Sequence, residues 1–145
     1  MFTKNYYTDL FKVTEAQLQE LTATALKHGG DYCDLYFEHT TFFNLLLKDS
    51  IVSSGGFHTD FGVGIRVLKG EKTGYAYSEN TEMKDMLGAA KAASAIANGS
   101  SSARREYNPV DSRQHDLYPM KENWRDKGAN AFLPFLNNLE KAILA

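Results

Sequence analysis

Four histidines and one cysteine are the side chains of this sequence with the clearest capacity for metal or nucleophilic chemistry. Zinc-binding histidines recur at short spacings, such as two histidines one helical turn apart with a glutamate between them. The histidines here share no such spacing and stand at His28, His39, His58 and His115. We interpret His28 as a helix-end residue, His39 and His58 as strand-end and loop side chains, and assign no partner to His115.

Cys33 lies in a segment where apolar residues alternate, so we predict a small buried side chain rather than a nucleophile. A reactive thiolate needs a histidine or a helix N-terminus beside it. His39 shares the face of Cys33 but is about 20 Å away along an extended strand. A single cysteine also forms no internal disulfide, which favours a reducing, cytoplasmic location.

Three acidic residues near the first strand, Asp31, Asp34 and Glu38, would suit acid–base or metal chemistry. Strand alternation places Asp34 and Glu38 on one face with Tyr36, which is typical of a solvated strand face. Asp31 follows two glycines and fits a turn. We therefore assign no catalytic, cofactor-binding or metal-binding residue, and no cofactor, to this chain.

Gly62 and Gly64 form half of the glycine fingerprint that holds dinucleotide phosphates. The third glycine and the helix that must follow it are missing from the sequence. We predict instead that Gly62, Gly64 and Gly74 are small because other groups pack closely on them. Gly64→Val should then lower the free energy of unfolding by about 1–3 kcal/mol.

A small positive group, Arg66, Lys69 and Lys72, surrounds a predicted hairpin, with Asp60 and Glu71 beside it. We interpret the group as a solvated hairpin tip, with an anionic-ligand site as the alternative. The whole chain has a net charge of −2 and a pI near 6.1, so it lacks the basic excess that nucleic-acid binding needs. It also lacks an apolar run of the roughly 18 residues that span a membrane.

Helices are predicted at three places in the 145 residues. Thr14 and Gln17 form a capping box for a helix over residues 14–28, which Gly29 and Gly30 end. Asn80 or Thr81 would cap a second helix, and Asn98-Gly99 would stop it. Its apolar stripe comprises Met83, Met86, Leu87, Ala90 and Ala97.

A third helical pattern near the C-terminus includes Phe132, Phe135, Leu136, Leu139 and Ile143. Pro134 either stands in the first turn of this helix or kinks it.

Four strand-like runs lie between the first two helices, and short turns join them. Turns are predicted at residues 53–56 and 69–72. The runs are residues 33–39, 42–52, 60–68 and 73–78. These patterns predict an α+β fold in which flanking helices cover one face of an antiparallel meander of about four strands.

Four strings in order along the chain resemble the N-terminal domain of the TldD/PmbA family of zinc metalloproteases, in its TldD-type subunit. They are GDYCDLYFE (residues 30–38), FGVGIRV (61–67), GEKTGYAYS (70–78) and DLYP (116–119). The resemblance extends from about residue 14 to residue 119. It implies a domain at residues 1–119, followed by a helical segment or the start of a linker at residues 120–145.

Several expectations follow from the resemblance alone. Family members are cytoplasmic peptidases that form homo- or hetero-dimers, act on unfolded peptides, and carry an older association with modulation of DNA gyrase. Their zinc is held by an H-E-x-x-x-H helix and a cysteine in a C-terminal domain. This sequence has no such motif before Ala145. Zinc is therefore expected only in the full-length family protein.

We expect this chain to be a non-catalytic domain that contributes dimer contacts and walls of a peptide chamber. An exposed strand edge would bind substrate peptide by strand addition. The alternative is a stand-alone binding or dimerisation module without protease activity. A direct regulator of DNA topology is disfavoured by the mildly acidic charge.

Overall fold

A computed structural model describes residues 6–96 and 121–145 of the chain. The helices are α1 (Tyr6–Phe11), α2 (Glu15–Leu26), α3 (Met83–Ile96) and α4 (Leu133–Leu144), and the strands are β1 (Tyr32–Lys48), β2 (Ile51–Lys69) and β3 (Lys72–Ser78). None of the described helices is long and apolar enough to span a membrane. The α+β class is confirmed.

The strands form one open sheet in the order β1-β2-β3. β2 and β3 pair antiparallel from Val63 opposite Ser78 to Lys69 opposite Lys72. The predicted hairpin turn is confirmed: Gly70 has a φ of 53°, which a glycine adopts without a steric penalty. The sheet has three described strands rather than the four that were predicted.

The prediction of a turn at residues 53–56 was wrong. The chain reverses at Asp49 and Ser50, whose φ angles are 51° and 60°, as in the two-residue turn that matches strand twist. Residues 53–56 lie inside β2, and the first predicted run forms one strand with residues 42–48 of the second run. Gly55 is small for a different reason, because a Cβ there would lie 2.8 Å from Leu45 Cδ1.

Both ends of α2 and the start of α3 follow their predicted signals. Thr14 and Gln17 form both hydrogen bonds of the capping box, and Gly29 takes a φ of 87° after the last turn of α2. Asn80 Oδ1 accepts a hydrogen bond from the backbone N of Glu82, ahead of α3. The predicted stop at Asn98-Gly99 and the apolar position Ala97 lie outside the described residues.

α4 begins with Pro134 in its first turn, so the first of the two alternatives for this proline is confirmed. A proline there loses no hydrogen bond, because first-turn amides have no partner within the helix.

The chain divides into two compact units. Among the described residues, the first unit comprises 6–40 and 60–96, and the second comprises 41–59 and 121–145. β1 and β2 each run through both units. The predicted boundary between residues 119 and 120 lies outside the described residues and stays a prediction.

The first unit has a buried core on one face of its sheet. α3 packs against α2 and β3. The buried apolar residues are Phe11, Val13, Leu21, Ala25, Val63, Ile65, Val67, Met86, Ala89, Ala90 and Ala93. Met83, Leu87, Cys33, Leu35 and Phe37 pack against this core. The predicted alternation of β1 and the described part of the α3 stripe are therefore confirmed.

Candidate interaction surface

The histidines do not come together in the described part of the chain. His39 lies edge-on to Phe61 with ring centroids 5.7 Å apart, and His58 stacks on Phe42 at 6.0 Å. The carbonyl oxygen of His28 accepts a hydrogen bond from Lys69 Nζ. His115 lies outside the described residues. Within residues 6–96 and 121–145, no three potential metal-ligating side chains form a group, so these residues do not fit the zinc that the resemblance implies.

Cys33 has the environment of an unreactive thiol. It is half-buried against the core, and burial raises the pKa of its thiol to about 11, with the Asp34 carboxylate adding to the shift. A nucleophilic cysteine needs the opposite shift, toward a stable thiolate at neutral pH. The arrangement therefore matches the small buried side chain that was predicted.

Asp31 fixes the start of β1 to the turn between β2 and β3. Its backbone N donates to the carbonyl oxygen of Leu68 over 2.6 Å, and its Oδ2 accepts from the backbone N of Gly70 over 2.8 Å. These two contacts join segments that are about 38 residues apart in sequence. The turn role predicted for Asp31 is confirmed, and its carboxylate is used structurally.

Arg66 and Asp34 form a bidentate ion pair across the sheet. Arg66 Nε and Nη2 donate to the two carboxylate oxygens, each over 2.9 Å. These hydrogen bonds, and then the charge of Asp34, raise the pKa of the guanidinium. Because Lys69 binds the His28 carbonyl instead, the predicted positive group does not converge on one site. This arrangement gives no support to the anionic-ligand alternative.

Four tyrosines flank this ion pair on the exposed face of the first unit. Residues directly opposite each other in a sheet share a face, and so do alternate residues of one strand. Arg66 is opposite Tyr75, and Gly64 is opposite Tyr77. We name the resulting surface the tyrosine face: Tyr32, Asp34, Tyr36, Gly64, Arg66, Tyr75 and Tyr77. Its tyrosine rings are 51% to 68% exposed.

Gly64 is small because the Tyr75 ring lies over it. A Cβ on Gly64 would come within 2.7 Å of the Tyr75 hydroxyl oxygen and 3.2 Å of its Cε2 atom. At Gly62 the close group is backbone: a Cβ would meet the carbonyl oxygen of Ser78 at 2.1 Å, at a φ of 150°. The predicted close packing at Gly62 and Gly64 is confirmed, with a ring in one case and a carbonyl in the other.

The composition of the tyrosine face is typical of surfaces that contact other proteins. Tyrosine offers a large apolar ring with a polar tip, which is why it is enriched where proteins meet. The Arg66–Asp34 pair leaves the centre of the face without net charge. Sequence analysis missed this surface, although the alternation of Tyr75 and Tyr77 on one predicted strand was the available signal.

A family model described as PmbA/TldA metallopeptidase domain 1 matches residues 33–97. A metalloprotease TldD homolog from Haemophilus influenzae is 42% identical over 67 residues, which are 46% of this chain and 14% of that protein. Another from Buchnera aphidicola of Acyrthosiphon pisum is 37% identical over 79 residues, which are 54% of this chain and 16% of that protein.

The matched residues include β1, β2, β3 and α3, and with them every residue of the tyrosine face except Tyr32. They exclude α1, α2 and residues 121–145. The match is shorter than the resemblance seen in the four strings, and it spans only a small part of each relative's length. Residues 33–97 of this chain are therefore similar to the first domain of the PmbA/TldA metallopeptidases, and the matched part spans only about a seventh of the length of the relatives it matches.

Proposed function

We propose that this chain is the non-catalytic first domain of a TldD-like zinc metallopeptidase subunit that trims peptides. The domain contributes contacts to the dimer and walls to the peptide chamber. The observation that carries the proposal is the match of residues 33–97 to domain 1 of a metallopeptidase family. The relatives are named metalloproteases, and the matched part is about a seventh of their length. Zinc and the catalytic groups would then be held by other residues of the full protein.

In this proposal the tyrosine face contacts a second subunit of the TldD/PmbA type. Exposed aromatic rings around a neutralised ion pair give apolar area without a free buried charge, which is the favourable composition for an interface centre. Tyr36 and Tyr77 are 62% and 68% exposed and would contribute most of the area.

The interface proposal is tested by replacing both rings with alanine. In the full-length protein, Tyr36→Ala with Tyr77→Ala should weaken subunit association by on the order of a hundredfold, because aromatic residues dominate interface energetics. Analytical ultracentrifugation measures the effect. Tyr7→Ala is the matched control, since Tyr7 is an exposed tyrosine on α1. Unchanged association of the double variant would remove the tyrosine face from the interface.

Peptide binding by strand addition is the second part of the proposal. β1 and β3 are the outer strands of the three-stranded sheet, so backbone groups at their outer edges can pair with an added strand. Main-chain pairing suits a peptidase that accepts unfolded peptides of varied sequence. Titrating an unfolded peptide into the full protein should shift amide resonances along one of these edges, and unchanged shifts at both edges would contradict it.

The alternative is a stand-alone binding or dimerisation module. The observation in its favour is that the first unit already has a closed apolar core of residues that are at most 7% exposed. One comparison separates the two functions: zinc-dependent cleavage of an internally quenched peptide by the product of the complete open reading frame and by the 145-residue chain.

Cleavage by the complete product alone supports the proposed role. Cleavage by the 145-residue chain would contradict the non-catalytic assignment. An open reading frame that ends at Ala145, with no peptidase that the chain activates, would favour the binding module.

A further inference from the structure

We draw no further inference here: the strongest candidate, the exposed apolar stripe that Phe135, Leu139 and Ile143 form along α4 in the second unit, carries nothing, because nothing in the structure shows what covers it.

Discussion

The two units of this chain use the same strands and differ in what covers them. In the first unit, helices α2 and α3 and the sheet enclose a core in which Leu21, Ile65 and Met86 are completely buried. In the second unit, the described residues include no buried side chain. Apolar composition does not explain the difference, because residues 41–59 and α4 are rich in phenylalanine and leucine.

β2 shows the contrast within a single strand. Val63, Ile65 and Val67 alternate as core residues, whereas every residue from 51 to 59 is exposed. An alternating strand buries its apolar side only where another layer packs on it. A two-stranded hairpin without a buried side chain, such as residues 41–59, is marginally stable. We infer that the buried core of the first unit accounts for most of the free energy of unfolding, whereas the second unit mainly presents exposed side chains.

The largest expected effect contrasts two glycines of β2. Gly62→Val should lower the free energy of unfolding by roughly 4 kcal/mol, because backbone strain and overpacking add. The cause is the Ser78 carbonyl oxygen, 2.1 Å from the new Cβ. Gly56→Val, where a Cβ meets nothing within 4 Å, is the control in the second unit. Urea unfolding measures the free energy of unfolding of both variants. Equal losses would contradict the proposed difference between the two units.

Next in size is a pair of leucine truncations. Leu21→Ala should cost about 3 kcal/mol, since it leaves a cavity at a fully buried position of the first unit. Leu139→Ala on α4, where the leucine is 47% exposed, should cost less than about 0.5 kcal/mol. Calorimetric unfolding of both variants measures the difference. A comparable cost at Leu139 would mean that the second unit has a core after all.

Gly64→Val should have a smaller effect than the sequence alone predicted. The new side chain meets the tip of Tyr75, which is 57% exposed and can rotate away. We expect a loss of about 1 kcal/mol, at the low end for overpacking. The double variant Gly64→Val with Tyr75→Ala should recover most of it in urea unfolding. Failure to recover would show that backbone, rather than the ring, makes the position small.

A pH-dependent effect concerns how far the first core extends over β1. The folded pKa of Cys33 is raised from 9.0 to about 11, so the folded state retains a proton that the unfolded state loses. The stabilisation is present below pH 9 and is lost as the pH rises toward 11. The urea midpoint should therefore fall more between these pH values in wild type than in Cys33→Ala. Parallel midpoints would place Cys33 outside the core.

Local sequence signals predicted the helix ends correctly where one turn of the chain satisfies its own hydrogen bonds. The capping box of Thr14 and Gln17 and the left-handed Gly29 were predicted from sequence, and the first-turn position of Pro134 was one of two alternatives. Turn prediction failed where glycine was taken as the marker. Asp49 and Ser50 adopt positive φ angles without it, because short polar side chains tolerate that conformation and a tight hairpin requires it.

The sequence by itself determined the α+β class, the ends of α2 and the similarity to a known family domain, because capping, alternation and ordered strings are properties of short segments. Only the tertiary structure paired Asp34 with Arg66, placed the Tyr75 ring over Gly64, and gathered four tyrosines on one face. It also decided that one end of β2 is buried and the other exposed. These features join residues that are distant in sequence, and their energies depend on register and on packing layers that no local pattern contains.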